Sequence, residues 1–227
     1  MNIETAIILC AGYGKRVKPI TDKIPKPLIN IKNINLLDNT IKLVENLGIK
    51  KIKLNTHYLA DQIKDFINKK NYQLDIQIIH EEIILNTGGG ISNIIKNISE
   101  QNFLVFNPDT IWSNKDVKTI YEMCDFYNKY KPQNILLVVN KNKSFDKRFL
   151  GDFNLKDNLL SKDKSNDFIY TGCQILNKKI FKDFVESVFS ISDIWDQLLQ
   201  NNELYGFESL NEFVHLTDIE IYKRLQN

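Results

Sequence analysis

Residues 9–28 read LCAGYGKRVKPITDKIPKPL, and they begin at the end of an apolar run, TAIILC. Gly12 and Gly14 come directly after this buried-strand candidate, where missing side chains let backbone N–H groups approach phosphate oxygens or a base. Arg16 and Lys26 flank the loop with positive charge, and three prolines restrict the backbone that carries them. The stretch therefore predicts a strand followed by a rigid cationic loop, the usual beginning of a βα unit.

Two common phosphate-binding motifs do not match this loop. A Walker A loop needs G-K-[ST] at a fixed spacing, and the dinucleotide fingerprint needs a further glycine after Gly14. Pro19 would also stop the early helix of the dinucleotide motif. The alternative is that this segment is a rigid proline-rich surface loop that binds no ligand. The combined string G-x-G-x-R-x-x-P-x-T-x-x-x-P-K-P is more specific than its glycines alone, and it favours a binding loop.

Composition narrows the class of protein. Of the 227 residues 43% are hydrophobic and 26% charged, which suits a soluble core. The net charge of +2 is too small to favour nucleic acid or an anionic membrane as a partner. No apolar run reaches the roughly 18–20 residues that span a bilayer, and we expect no signal peptide. The scattered cysteines Cys10, Cys124 and Cys173 match no metal-binding spacing and predict buried free thiols in a reducing cytoplasm.

The pattern of apolar runs predicts an α/β protein with one domain, 1–227. Over residues 1–140, short apolar runs alternate with amphipathic stretches, as in βα units around a mostly parallel sheet. Here we expect strands at 5–10, 51–55, 74–80, 103–106 and 135–140, and helices at 36–47, 60–68 and 116–130 and after the second glycine loop, 87–90. In the second half we expect strands at 149–155, 168–176, 204–208 and 213–216, and helices at 178–188, 192–201 and from residue 218.

The loop string resembles the N-terminal signature of the sugar-1-phosphate nucleotidyltransferase family. Three further segments are similar to that family: LNTHYLADQI (54–63), HEEIILNTGGGI (80–91) and FLVFNPD (103–109). The resemblance is strong to about residue 112 and looser beyond. Among subfamilies, the NTGGGI loop, the GDF at 151–153 and the short length are most similar to N-acetylmuramate-1-phosphate uridylyltransferases.

The resemblance implies a fold, a reaction and its partners. The fold is a three-layer α/β/α, Rossmann-like architecture, in which 1–140 binds the nucleotide and 141–227 the acceptor sugar. The reaction transfers a nucleoside monophosphate from a nucleoside triphosphate, UTP being favoured, to a sugar 1-phosphate and releases pyrophosphate. Mg²⁺ is the implied cofactor. We expect no nucleic acid or membrane partner, and either a monomer or a homodimer.

This chemistry asks for positioning and charge neutralisation. The attacking phosphate is already largely ionised near pH 7, so cations, backbone donors and a metal are needed and a catalytic triad is not. By resemblance, Arg16 holds the triphosphate and Lys26 reaches the α-phosphate and the sugar phosphate. Asp109, at the end of a strand, is the implied Mg²⁺ ligand, because Mg²⁺ favours a few carboxylates plus phosphate oxygens. The alternative is that Asp109 caps a turn before Trp112.

Further residues are assigned by resemblance to the two substrates. The nucleotide-binding candidates are Ala11, Gly12, Gly14, Asn55, Thr87 and Gly88. A helix beginning after Gly88–Gly90 could also present its first amides to an anion, the alternative being a simple helix cap by Thr87. The acceptor-binding candidates are Asn140, Gly151, Asp152, Thr171 and Gly172.

One departure from the family pattern concerns the metal. The family supplies a second acidic or amide ligand on a late strand, and the matching stretch here is FVHLTDI (213–219), with His215 in that place. A neutral imidazole is a poor Mg²⁺ ligand. Either Asp218 takes over through a local shift, or the site is weaker, or catalysis is lost.

Other functions remain open. The acceptor could be another hexose or heptose 1-phosphate or a phosphocholine, with CTP, GTP or dTTP as donor. A non-catalytic nucleotide-sugar sensor is the alternative outside enzymes, motivated by His215. A molybdopterin transferase has a related glycine loop, but Pro19 and the PKP tail argue against it.

Overall fold

The computed structural model describes residues 3–184 and 187–227. Met1, Asn2, Val185 and Glu186 lie outside the described residues, so the predicted domain 1–227 and the predicted helix 178–188 are described only in part. None of the described helices is both long enough and apolar enough to cross a membrane.

The described residues form one seven-stranded sheet, two small two-stranded sheets and six α-helices. The strands are β1 (Thr5–Leu9), β2 (Asn30–Ile31), β3 (Ile34–Asn35), β4 (Lys51–Thr56), β5 (Asp75–His80), β6 (Asn102–Phe106), β7 (Asn134–Asn140), β8 (Asn154–Lys156), β9 (Leu159–Ser161), β10 (Phe168–Asn177) and β11 (Gly206–Ser209). The helices are α1 (Leu36–Asn46), α2 (Ala60–Lys70), α3 (Asn86–Ile95), α4 (Asn114–Tyr130), α5 (Ile191–Gln200) and α6 (Ile219–Gln226).

The large sheet has the order β11-β7-β10-β6-β1-β4-β5. Pairings β1–β4, β1–β6, β4–β5 and β7–β11 are parallel, whereas β10 runs antiparallel to both β6 and β7. The predicted mostly parallel, mixed sheet is therefore confirmed. With β1 between β4 and β6, the carboxyl ends of three strands meet at one edge, where open α/β sheets bind ligands.

Two apolar layers cover the faces of the sheet. Because side chains alternate along a strand, Ala6 and Ile8 join the core under α1, α2 and α4, whereas Ile7 joins the core under α3 and α5. Both layers are built mainly from Ile, Leu, Val and Phe that are almost fully buried. This arrangement confirms the three-layer α/β/α architecture.

The second half is less regular than its apolar pattern predicts. The predicted strand 149–155 is reduced to β8, preceded by a single bridge from Phe153 to Phe168. Residues 213–216 make isolated bridges to the loops at Ser144 and Thr110 instead of a strand. Within the described part of 178–188, the structure has a 3-10 turn at Lys178–Phe181. These predictions were wrong because apolar residues that fill gaps between elements have the same local pattern as strand or helix residues.

The predicted thiols are buried as expected. Cys10, Cys124 and Cys173 are unpaired and almost fully enclosed. Burial raises the pKa of each thiol, because the thiolate would lose its solvation. They act as core residues.

Candidate active site

A cleft of about 390 Å³ opens at the carboxyl ends of β1, β4 and β6. It is lined by both predicted cations, by Asp109 and by most of the predicted nucleotide-binding residues: Ala11, Gly12, Gly14, Arg16, Lys26, Asn55, Thr87 and Asp109. Residues far apart in sequence thus share one cavity. The polar side chains of Lys15, Asn86 and Asn107 also line it, and the sequence analysis missed them. Asn107 follows β6 directly, so the strand-end rule that selected Asp109 could have found it.

The first glycine loop is shaped by the two glycines in different ways. Gly14 has φ +63°, and a Cβ there would lie 2.8 Å from Thr21 Cγ2, so both conformation and space exclude a side chain. Its carbonyl accepts hydrogen bonds from Val17 N at 2.9 Å and from Thr21 Oγ1 at 3.0 Å. A Cβ on Gly12 would meet no atom within 4 Å. Gly12 therefore faces open space in the cleft, where a ligand can approach the backbone.

Lys26 is held at the cleft by the proline-rich path that follows the glycine loop. Pro25 is extended at φ −63° and ψ 141°, and a 3-10 turn begins at Lys26. Lys26 Nζ lies 2.5 Å from Asp109 Oδ2, with the two side chains only 13% and 19% exposed. Arg16 is exposed at the cleft and makes no ion pair or side-chain hydrogen bond with the described residues. Its guanidinium is therefore available to an anionic ligand.

Asp109 is a carboxylate between two nitrogen donors. His215 Nε2 lies 3.2 Å from the same oxygen, Oδ2, that binds Lys26. Burial by itself would raise the pKa of this carboxyl, but the charges and hydrogen bonds of His215 and Lys26 outweigh burial, and the pKa lies well below its usual range. Asp109 is therefore ionised at neutral pH. Its role as a turn cap before Trp112 has no support in these contacts.

The structure places His215, and not Asp218, opposite Asp109. A bridge between Thr110 and His215 and a 2.8 Å bond from Leu216 N to Asp109 O align the two segments. Asp218 instead caps α6, accepting from Glu220 N and Ile221 N at 3.0 Å. Its other oxygen pairs with Arg148 at 2.8 Å. The alternative that Asp218 takes over as the second metal ligand is therefore wrong.

The donor set at Asp109 fits a Mg²⁺ ion only with help from the substrate. Asp109 lines the cleft, and its Oδ1 is buried and has no hydrogen-bond partner among the described residues. The described residues contain no group of three or more His, Cys, Asp and Glu side chains that could hold a metal. Mg²⁺ commonly keeps one or two carboxylates and completes its shell with phosphate oxygens and waters. One oxygen of Asp109 meets that requirement, so the residues fit a substrate-completed site.

The second glycine loop is built against the segment 187–191. Gly88 N and Gly89 N donate to Phe189 O at 3.0 and 3.1 Å, and Thr87 Oγ1 accepts from Ile191 N at 2.9 Å. The amides of Gly88 and Gly89, in the first turn of α3, are thus already bonded and are not free for an anion. Thr87 does not cap its own helix. Gly88 lies outside the described cleft lining, with its Cα facing the Phe189 ring.

Asn55 lines the cleft, but both ends of its amide are occupied. Its Oδ1 accepts from Cys10 N at 2.8 Å, and its Nδ2 donates to Glu81 Oε1 at 2.7 Å. Asn55 is 3% exposed. The amide has a second N–H that these bonds do not use, and a contact of Asn55 with the nucleotide stays a prediction.

The predicted acceptor-binding residues have structural contacts and lie outside the described lining of this cleft. Asn140 Oδ1 accepts from Asn142 N, and buried Thr171 donates to Leu137 O at 2.9 Å. Asp152 Oδ2 accepts from Tyr170 N at 2.9 Å.

Both glycines among the predicted acceptor-binding residues are required by the available space and by the backbone conformation. Gly151 has φ +91°, and a Cβ there would lie 2.3 Å from Asn166 O. Gly172 has φ +90°, in the bulge of β10, and a Cβ would lie 3.0 Å from Asn107 Cβ. A role for these residues in sugar binding stays a prediction.

Comparison with known proteins identifies the family. A family model described as "Nucleotidyl transferase" matches residues 5–149, which is more than half of the chain. The chain therefore belongs to the nucleotidyl transferase family, and the resemblance to sugar-1-phosphate nucleotidyltransferases is confirmed.

Three relatives illustrate the range of the family. The bifunctional protein GlmU of Methanococcus maripaludis is 32% identical over 213 residues, which cover 89% of this chain and 49% of the relative. The chain thus spans about half the length of that protein. The N-acetylmuramate alpha-1-phosphate uridylyltransferase of Caulobacter vibrioides is 24% identical, with 95% of this chain and 92% of the relative covered. The D-glycero-alpha-D-manno-heptose 1-phosphate guanylyltransferase of Aneurinibacillus thermoaerophilus is 25% identical, with 97% and 96% covered.

A solved structure supports the same fold. HddC from Yersinia pseudotuberculosis, crystallised with GMP-PN, has a TM-score of 0.78 and 26% sequence identity. The superposition covers 99% of this chain and 98% of HddC. The chain is thus similar over its whole length to a protein whose structure holds a nucleotide ligand.

Proposed function

We propose that this protein transfers a nucleoside monophosphate from a nucleoside triphosphate to a sugar 1-phosphate, with Mg²⁺ and with release of pyrophosphate. The observation that carries the proposal is the meeting of Arg16, Lys26 and Asp109 in one glycine-lined cleft. Two anionic reactants can approach each other only where positive charge and backbone donors are already in place. Family membership supports the same reaction class.

Each residue of the chain has a defined task in this proposal. Gly12 gives the ligand close access to the backbone of the first loop. Arg16 binds the triphosphate, since its planar fork of donors suits phosphate oxygens. Lys26 lies near the reacting phosphates and offsets their charge as pyrophosphate leaves. The sugar phosphate needs no strong general base because it is already ionised near pH 7.

Asp109 would hold the metal, since its Oδ1 has no hydrogen-bond partner among the described residues. A bound Mg²⁺ supplies positive charge to the phosphates and orients them. Lys26 and His215 keep Asp109 ionised and fix its orientation through Oδ2. His215 thus acts on the carboxylate, which is a role that an imidazole can perform without binding Mg²⁺.

For the substrates, we propose UTP and N-acetylmuramate 1-phosphate. The support is the similarity to the Caulobacter uridylyltransferase over 95% of this chain. A guanylyltransferase acting on a heptose 1-phosphate is the second candidate, favoured by the Aneurinibacillus relative and by HddC with GMP-PN. A nucleotide-sugar-binding protein with impaired catalysis is the third, because His215 stands where the family has a second metal ligand. We further propose a cytoplasmic monomer or homodimer.

The test is an assay of pyrophosphate release. Purified protein with Mg²⁺ is incubated with UTP, GTP, CTP or dTTP and a panel of sugar 1-phosphates that includes N-acetylmuramate, hexose and heptose forms. We expect turnover with one donor–acceptor pair well above all others. Binding of a nucleotide without turnover by any pair would favour the sensor, and neither binding nor turnover would refute the proposal.

Metal dependence tests Asp109 separately. In the Asp109→Asn variant we expect activity to fall at least ~100-fold, about 2.7 kcal/mol, and its stimulation by Mg²⁺ to be lost. Titration of Mg²⁺ into both proteins measures this. Unchanged metal dependence in the variant would show that Asp109 is not the ligand.

A further inference from the structure

Beside the cleft, with Asn55 in its lining, lies a buried polar pair that the proposed chemistry does not use. It consists of Asn55, at the end of β4, and Glu81, just after β5, which are 3% and 2% exposed. A carboxylate this deeply buried is costly unless its oxygens are hydrogen-bonded. Its contacts therefore indicate what it does.

The pair forms a continuous chain of hydrogen bonds between the two loops that line the cleft. Cys10 N donates to Asn55 Oδ1 at 2.8 Å, and Asn55 Nδ2 donates to Glu81 Oε1 at 2.7 Å. The chain ends where Leu85 N donates to Glu81 Oε2 at 3.0 Å. Cys10 directly precedes the first glycine loop, and Leu85 directly precedes Asn86 and Thr87 in the second. The pair thus connects two segments that both line the cleft.

Neighbouring backbone leaves this pair little freedom. A Cβ on Gly90 would lie 2.7 Å from Asn55 Nδ2 and 2.8 Å from Glu81 Oε1, so α3 packs directly on both side chains. The backbone of Glu81 is also bonded on both sides, by Glu81 N to Thr56 O at 2.8 Å and by Glu81 O with His57 Nδ1 at 2.8 Å. The other ring nitrogen of His57 lies 3.2 Å from the hydroxyl of Tyr13, inside the first glycine loop. Glu81 therefore connects to that loop by two routes.

We propose that Asn55 and Glu81 are positioning residues that set the separation of the two nucleotide-binding loops. This rests on the proposed function, because the loops must receive a nucleoside triphosphate. Glu81 acts through Asn55 and Leu85, to which its two carboxylate oxygens are bonded. The role of Asn55 is then to hold Cys10 N, in place of the predicted direct contact with the base.

An exchange of the two functional groups tests this proposal. In Glu81→Gln, the amides of residues 55 and 81 face each other. Whichever way the two amides are turned, one N–H points at another N–H, either between the two side chains or at the backbone N–H of Cys10 or Leu85. In Asn55→Asp, two carboxylates face each other in a buried place. The double variant restores every bond, because the carboxylate then at position 55 would accept from Cys10 N and from the amide then at position 81. The oxygen of that amide would accept from Leu85 N, and the double variant keeps the net charge of the wild type.

The measurements are the Kd for UTP and for GTP at pH 7.5 with Mg²⁺, by calorimetry well below the melting temperature, together with Tm. We expect each single variant to raise Kd about 10-fold, equivalent to 1.4 kcal/mol, and the double variant to return within about 3-fold of wild type. KM should change more than kcat, because Lys26 and Asp109 are left in place. The matched control is Tyr127→Phe, which removes a 2.8 Å bond to Asn102 at the amino end of β6, away from the cleft. It should leave Kd unchanged even if Tm falls.

The outcomes separate the two proposals. Single variants with wild-type Kd, or a double variant whose Tm recovers while its Kd does not, would overturn the positioning role. Equal loss of affinity in the double variant and the single variants would also overturn it, because the affinity for nucleotide would then not depend on the restored hydrogen bonds. Wild-type protein that binds neither UTP nor GTP would instead contradict the proposed function itself, and the pair's role in nucleotide binding with it.

Discussion

At the scale of single residues, the site depends on a contact between Lys26 and Asp109, which lie 83 positions apart. The backbone at each residue is restricted by its neighbours in the chain, because Lys26 stands between two prolines and Asp109 follows a buried strand. Their contact at 2.5 Å and the 3.2 Å contact of His215 on the same oxygen keep the carboxylate charged and oriented. In the proposed function, the same lysine also offsets the charge of the incoming phosphates.

The Lys26→Ala variant tests this proposed role of Lys26. We expect kcat/KM to fall at least ~100-fold, about 2.7 kcal/mol, since both phosphate-bearing substrates lose a cation. The matched control is Lys18→Ala on the same segment, because Lys18 is exposed and, among the described residues, its one ion pair is with Asp22 on the surface, at 2.8 Å. Near-normal turnover in Lys26→Ala would remove its catalytic role.

At the scale of elements, the start of α3 shows why a glycine run occurs at the second loop. Phe189 O bonds to both Gly88 N and Gly89 N, and Ser187 O would lie 2.2 Å from a Cβ on Gly89. The glycines therefore allow the segment before α5 to approach the helix backbone, and its carbonyl satisfies amides that a helix N-terminus leaves unpaired. The loop is shaped by packing between two elements that are about a hundred residues apart.

The Gly88→Ala variant tests this packing. An alanine is normally better than glycine in a helix by about 1 kcal/mol, but here its Cβ would lie 2.4 Å from the Phe189 ring. We expect a net loss of about 1–3 kcal/mol in the free energy of unfolding, as for other overpacked cores. Urea unfolding measures it, and Ser92→Ala on the same helix should change stability by less than about 0.5 kcal/mol. A stabilised Gly88→Ala protein would show that the close approach is not required.

At the scale of the whole molecule, Arg148 joins the loop after β7 to the last helix. Its guanidinium binds both oxygens of Asp146 at 2.8 Å, and it also pairs with Asp218 at 2.8 Å and Glu220 at 3.0 Å. The segment that carries His215 lies between these partners in sequence. The network therefore anchors the chain that presents His215 to Asp109.

This network gives a pH dependence of stability that can be assigned to one residue. The hydrogen bonds of Arg148 lower the pKa of Asp146, whose side chain is 3% exposed, to about 2. A pKa that is lower in the folded state than its usual value near 3.9 contributes stability above about pH 5, and this contribution is lost as pH falls towards 2. We expect Asp146→Asn to cost about 1–2 kcal/mol at pH 7, allowing for the partly exposed arginine.

Urea unfolding at pH 7 and pH 3 checks the sign. The difference between wild type and Asp146→Asn should shrink to roughly half at pH 3, because the wild-type contribution is by then partly lost. Glu122→Gln is the control, since within residues 3–184 and 187–227 the one ion pair of Glu122 is an exposed contact with Lys118 at 3.8 Å. This variant should have little effect at either pH. An equal difference at both pH values would mean that the ionised Asp146 does not stabilise the fold.

The less regular second half shows where prediction from the local apolar pattern fails. Residues 213–216 have the apolar pattern of a strand, yet they form single bridges to two different loops. Phe213 fills a small cluster with Val139 and Ile169, and this burial explains the apolar character without a strand. A pattern reports that a side chain is buried, but the partner that buries it is decided elsewhere in the chain.

The sequence by itself determined the α/β architecture, the first glycine loop and the candidates Arg16, Lys26 and Asp109, because strand periodicity, proline restriction and the polarity of strand ends act between neighbours in the chain. Only the tertiary structure decided that His215 faces Asp109, that Gly88 packs on Phe189, and that the amide of Asn55 is bonded to Cys10 and Glu81. Each of these is a contact between distant segments. Such contacts depend on how whole elements pack, and the residue types at either end fit several partners equally well.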